Sequence, residues 1–169
     1  MTDERLSTPE HYAGGFQHFD EIPERYRLET YAAQYRGADT WEKYVEEVLL
    51  EEHDSKRIRT TVRLAGSSWT EHMQRRGRHH ALASPKDVAE WCNTLLKDKV
   101  EKTCYEYYFL RIYDFYDHLK FSHRHPHLYN PLLLAAIDYD APHRIWMVRV
   151  HRRRERAKRR RKEEASNDR

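Results

Sequence analysis

Five tyrosines fall within residues 105 to 121, YEYYFLRIYDFYDHLKF. A phenol can act as a nucleophile, but only as a phenolate whose charge its surroundings support. Spacing decides against that role here. Cys104, Tyr108, Ile112, Phe115 and Leu119 advance in steps of three and four, with Tyr105, Leu110 and Tyr116 at the margins, which is the stripe of an amphipathic helix. Tyrosine suits such a margin because its ring packs while its hydroxyl reaches water or a backbone group. The tyrosines therefore read as core, and no catalytic residue is assigned.

Twelve histidines raise metal chemistry instead. His123, His125 and His127 alternate around Pro126, a pattern that does not bring three imidazoles to one point, and no cysteine or carboxylate stands beside them at a ligand spacing. The two cysteines, Cys92 and Cys104, lie inside apolar helical patterns and read as buried thiols of a reducing compartment. No phosphate-binding glycine loop, nucleophile elbow or zinc-protease motif occurs. Neither a metal nor a cofactor is expected.

Cations are the strongest chemical signal. Ten of the fourteen residues from Arg149 to Lys162 are Lys or Arg. Such a run binds phosphates by releasing their counterions, without reading sequence. The run lacks interleaved Trp, Phe or Leu with which to embed in a bilayer surface. The formal net charge of +3 hides a gradient: residues 1 to 55 carry 5 basic and 14 acidic groups, residues 56 to 148 carry 15 and 10, and residues 149 to 169 carry 11 and 4. One end attracts polyanions and the other repels them, so the acidic segment could fold back as a tethered competitor. No apolar run approaches the roughly 20 residues that cross a bilayer, and the start, MTDERLSTPE, lacks the features of a secretion signal. A cytoplasmic protein with no membrane partner is expected.

These residues must be held by helices. Residues 1 to about 22 read as a mobile lead-in, and ERYRLETYAAQY as a helix from Pro23 to Gly37. Asp39 and Glu42 have the spacing of a capping box ahead of an acidic helix, WEKYVEEVLLEEH. KRIRTTVRLAGSSWTEHMQRRG then buries Ile58, Val62, Ala65, Trp69 and Met73 on one face, with Gly66-Ser67-Ser68 as a possible bend. Ser84-Pro85-Lys86-Asp87 caps the next helix, with Val88, Trp91, Cys92, Leu95 and Leu96 inside. The tyrosine-rich helix ends before Pro126, Asn130-Pro131 opens the helix LLLAAI, and a last helix from about Pro142 loses its apolar face after Val150. The organisation expected is an acidic, partly disordered extension (1–38), a helical domain (39–140) and a basic helix or tail (141–169).

The order of these features resembles the amino-terminal, SAM-like core-binding domain of tyrosine recombinases (phage integrases). The places of that pattern are filled by Ser55 with Thr60 or Thr61, Trp69 and Gly77, SPKDVAEWCNTLL, Thr103, LRIYDFYDHL and Asn130-Pro131, over about residues 41 to 137. HPHLYNPLL is similar to the archaeal form. The resemblance implies an all-α orthogonal bundle of about four to five short helices that grips one face of a DNA duplex. It stops short of the catalytic domain: the last tyrosine, Tyr139, precedes the H-x-x-R of the basic run, His151 to Arg154. The expectation is a non-enzymatic DNA-binding protein, accessory to integration or recombination of a mobile element. Phosphate contacts would come from Arg57, Arg59, Thr60, Arg63, Arg75, Arg76 and Arg78. Lys99, Lys102 and Thr103 would form an anion site at a helix start. Arg152, Arg153, Arg154, Arg156, Lys158, Arg159, Arg160, Arg161 and Lys162 would extend the footprint. Two alternatives stand beside this: a module that docks onto a recombinase or onto itself, and an arginine-rich RNA binder.

Overall fold

A computed structural model describes residues 8–49 and 55–167. Among them there is no strand, and every regular element is helical. In chain order these are α1 (Pro9–Tyr12), 3-10 turns at Phe19–Glu21, Glu24–Tyr26 and Leu28–Tyr31, α2 (Ala32–Tyr35), α3 (Thr40–Tyr44, continued by the π turn Val45–Leu49) and α4 (Lys56–Arg75). There follow α5 (Pro85–Leu96), α6 (Glu101–Cys104, the π turn Tyr105–Phe109 and Leu110–Phe121), α7 (Pro131–Asp138) and α8 (Asp140–Asn167). The end of the acidic helix, residues 50 to 53, and the first residues of the lead-in lie outside the described residues.

The tyrosine-rich helix α6 is the axis of the fold. Cys104, Ile112, Phe115 and Leu119 of its expected stripe are buried, Tyr108 is partly buried, and Phe109 and Tyr113 are buried as well. A second buried face is needed because α4 packs on one side of the π turn and α8 on another. Trp146 of α8 meets Phe109 and Tyr113 edge-on, with centroids 6.4 and 5.5 Å away. The short helix α7 is buried from Pro131 to Ala136 and packs against α1, α5, α6 and α8, which explains why its sequence is apolar all round.

Gly66-Ser67-Ser68 does not bend α4, which runs unbroken from Lys56 to Arg75. The two outer residues are there for packing. A Cβ at Gly66 would run into the Trp41 indole, lying 2.7 Å from its Cε2, so only glycine admits the ring against the α4 backbone. Ser68 Oγ accepts the indole N–H of Trp91 at 2.9 Å.

Residues 23 to 37 also differ from expectation, forming 3-10 turns and the single turn α2 rather than one helix. The backbone is extended at Arg27, and the next amide, Leu28 N–H, donates to the buried Tyr129 hydroxyl at 2.9 Å. That tertiary bond outweighs local helix propensity. Ile22, Leu28 and Tyr35 are core residues.

The loop after α4, RHHAL, ties the halves together. The His80 carbonyl accepts from Trp69 Nε1 and from the Tyr116 hydroxyl, both at 2.8 Å. His80 Nε2 accepts from Trp41 N–H at 3.0 Å, and His127 Nε2 donates to Ala81 O at 2.7 Å. Burial pushes both imidazoles down to about 4, so they stay neutral under ordinary conditions.

Candidate nucleic-acid interface

Helix α4 begins at Ser55, whose Oγ accepts from Ile58 N–H at 3.2 Å, and its apolar side faces the core. That orientation leaves Lys56, Arg57, Arg59, Arg63 and Arg75 exposed on the other side. Thr60 is exposed, its hydroxyl donating to Lys56 O at 2.9 Å, whereas Thr61 is buried. Between α3 and α4 lies a groove of about 450 Å³ with Arg59 and Arg63 on one wall and Asp39 and Glu42 on the other. The two carboxylates offset the two guanidiniums, so the positive field of α4 comes chiefly from Lys56, Arg57 and Arg75.

Arg76 and Arg78 are engaged differently. Both close on Asp87, whose side chain is 0% exposed. Asp87 Oδ1 accepts from Arg76 Nε, and Oδ2 accepts from Arg78 Nη1 at 3.1 Å, Ser84 N–H at 2.8 Å and Ser84 Oγ at 3.0 Å. Arg76 also pairs with Glu90, and Arg78 lies 3.8 Å from Glu29. Burial alone would raise the Asp87 pKa. The hydrogen bonds from Ser84 and Arg76 and the charge of Arg78 outweigh it, so this carboxyl titrates below its ordinary value. The capping box of α5 thus doubles as an ion-pair clamp that fixes the exit of α4.

At the start of α6, Lys99 Nζ donates to Asp98 Oδ1 at 2.8 Å and lies 5.5 Å from the Tyr108 ring centroid. Lys102 is exposed and Thr103 half-buried. Glu101 holds the first turn itself: its carboxylate accepts from its own backbone N–H and from Arg144 Nη2 at 2.6 Å, and both bonds lower its pKa. A side-chain carboxylate therefore already stands where a phosphate would approach these amides.

The cationic run divides at Val150, which is buried. Arg149 belongs to the body: its guanidinium sits 4.7 Å from the Tyr12 ring centroid, 5.0 Å from Trp146 and 5.9 Å from Tyr113. Arg152 pairs with Glu106 and lies 5.8 Å from the Tyr105 ring. Arg153 lies 5.9 Å from Tyr12, and Lys158 pairs with Glu155 at 3.7 Å. Arg154, Arg156, Lys158, Arg159, Arg160, Arg161 and Lys162 are exposed on a helix whose part beyond Val150 buries nothing. From His151 to Asn167 that part extends about 25 Å at 1.5 Å per residue. Helices α4 and α8 both pack on the turn Tyr105–Phe109, so one segment of α6 positions both cationic elements.

The phenols near this turn are weak acids. Burial raises the pKa of Tyr105, Tyr113 and Tyr116, and the Tyr116 hydroxyl is taken by His80 O and by Ala83 N–H at 3.0 Å. Of the alternating histidines, His125 bonds the Tyr35 hydroxyl at 2.6 Å, His127 bonds Ala81 O, and His123 is exposed. Among the described residues, no three His, Cys, Asp or Glu side chains are grouped so as to hold a metal, and no helix is long and apolar enough to cross a membrane.

Sequence reasoning missed a basic, aromatic edge at the far end of α6, where Phe121 and Arg124 line one cavity and Arg124 and Lys43 line the adjoining one. Its signal in the sequence was Phe121 itself, which lies two residues past the stripe and directly before SHRH. Comparison of the chain with protein-family models, with curated proteins and with solved structures gave no match.

Proposed function

We propose that this protein binds double-stranded DNA through its phosphates and performs no covalent step, as an accessory or regulatory factor in DNA integration or recombination. The observation that carries the reading is the distal part of α8, a helix of exposed cations supported by no core of its own. A solvated helix of this composition gains most from a polyanion, because each phosphate it neutralises releases condensed counterions. Exposed Lys56, Arg57 and Arg75 on α4 supply a second line of contacts. Arg76, Arg78 and Lys99, which are paired with carboxylates, contribute less. Contacts of this kind orient a protein on a duplex and leave base reading to other groups.

The kinship proposed is with the SAM-like core-binding domain of tyrosine recombinases. Its support is the order of capped helices through SPKDVAEWCNTLL, the tyrosine-rich helix and Asn130-Pro131, whose Asn130 Oδ1 accepts from Leu132 N–H at 3.0 Å. The absence of a covalent step is supported by tyrosines buried for packing, whose phenols are harder to ionise than in water.

Titration of a random-sequence duplex at low and high salt, with supercoiled plasmid as a parallel substrate, tests both halves. The reading requires affinity that drops steeply with salt and plasmid that remains supercoiled. Nicked or relaxed plasmid would refute the non-catalytic half. A stable oligomer with no DNA binding at low salt would replace the DNA reading with protein docking.

A further inference from the structure

Helix α6 ends at Phe121, which is 77% exposed. A lone exposed apolar side chain means little by itself. This one forms a wall of a cavity of about 350 Å³ together with His118, Ser122, His123 and Arg124. A second cavity of about 200 Å³ shares His118, Ser122 and Arg124 and reaches Lys43, Glu47 and His125 on its other side. Lys120 Nζ lies 5.6 Å from the Phe121 ring centroid. Lys120 and Arg124 thus border the exposed Phe121 ring, and Lys43 lines the adjoining second cavity; among the described residues lining the two cavities the one carboxylate is Glu47. The walls are fixed: His118 packs on Tyr44 with centroids 5.2 Å apart, and His125 is held by the Tyr35 hydroxyl.

An exposed aromatic ring bordered by cations at a concave, open site matches the chemistry of an unpaired nucleotide. The ring offers a stacking surface to a base of any kind, and the cations take the phosphates on either side. A duplex cannot use such a surface, because its bases are stacked on one another and only their edges are accessible. We infer that this end of α6 binds an unpaired nucleotide of a DNA strand next to the duplex, with the base on Phe121 and its phosphates on Arg124 and Lys43. The inference rests on the DNA-binding reading above and adds a preference for a junction between duplex and single strand.

The test compares a fluorescently labelled blunt duplex with the same duplex carrying a short single-stranded overhang, by anisotropy. The full chain is used, with Phe121→Ala, Phe121→Trp and Arg124→Ala variants. The expected result is tighter binding of the overhang DNA by the wild type. Phe121→Ala should lose about 5- to 150-fold on that DNA, the range of one base-aromatic stack, and leave the blunt duplex unaffected. Phe121→Trp should retain the preference, Arg124→Ala should weaken it, and 2-aminopurine in the overhang should be quenched on binding. Equal affinity of the wild type for both DNAs, an unchanged overhang affinity in Phe121→Ala, or an equal loss on both DNAs would overturn the inference while leaving duplex binding intact. No binding to either DNA at low salt would overturn the DNA-binding reading, and the inference with it.

Discussion

Replacing Asp87 with Asn removes one charge and two lone-pair directions from a carboxylate that is fully buried and receives four hydrogen bonds. An amide is nearly the same size, so no cavity forms. Its NH2 must nonetheless face either Arg76 or the pair Ser84 N–H and Arg78, placing donor against donor. Hydrogen bonds to charged groups contribute about 1.5 to 3 kcal/mol each, and loss of a helix cap costs about 1 kcal/mol. Arg76 and Arg78 are 25% and 37% exposed and keep Glu90 and Glu29, so part of the Coulomb contribution is already screened and partly replaced. The net cost is then about 3 kcal/mol. For a chain of this size each kcal/mol shifts Tm by about 2 to 4 °C, so the midpoint should fall by about 6 to 12 °C at pH 7 in thermal unfolding followed by circular dichroism. The pH dependence has a definite sign. The folded pKa is depressed, so the wild-type advantage is fully present above the unfolded value of about 4 and disappears as pH falls through the lower folded value. A shift below about 2 °C at pH 7, or an advantage that grows toward acid, would refute the clamp.

Gly66→Ala should destabilise, against helix propensity, which favours alanine by about 1 kcal/mol. Trp41 is 6% exposed and wedged on Phe115, with centroids 5.3 Å apart, so overpacking of about 1 to 3 kcal/mol wins. In a Trp41→Phe background the same change should become neutral or stabilising, and a stabilising effect with Trp41 in place would contradict the packing account. Tyr129→Phe strands the buried Leu28 N–H and should cost about 1 to 3 kcal/mol by denaturant unfolding, with no loss if the amide finds water instead. Deleting residues 1 to 38 would remove Ile22, Leu28 and Tyr35 from the core, so competition between the acidic segment and DNA is better tested by neutralising exposed Asp20, Glu21 and Glu24. Tighter duplex binding at low salt is expected, and unchanged affinity would exclude a tethered competitor.

Apolar periodicity and capping chemistry were legible from residues alone. Ser84 with Asp87 and Asn130 with Pro131 start helices because their side chains accept backbone N–H groups within a few residues, a local property. What stayed hidden depends on partners distant in sequence. Gly66 looked like a helix weakness because nothing near it announces Trp41, 25 residues earlier, as the ring it admits. The segment from Pro23 to Gly37 has helix-forming composition, and partners distant in sequence, the Tyr129 hydroxyl on Leu28 N–H and His125 on the Tyr35 hydroxyl, hold it in turns. Charges were the least legible of all. Arg76, Arg78, Arg149 and Arg152 read like their exposed neighbours, and only the fold shows that Asp87, the ring cluster of Tyr12 and Trp146, and Glu106 have claimed them.

The central claim is that exposed cations on the distal part of α8 bind duplex phosphates. A straight helix presents only about half of the cations between Arg152 and Lys162 to one duplex, which corresponds to about four or five phosphates and, at about 0.9 per phosphate, a slope of about 4. The decisive measurement is the slope of log Kd against log salt for the full chain and for a variant with Arg154, Arg156, Lys158, Arg159, Arg160, Arg161 and Lys162 changed to Gln. The account predicts a steep slope that flattens by about 3 to 4 in the variant, and identical slopes for the two proteins would contradict it.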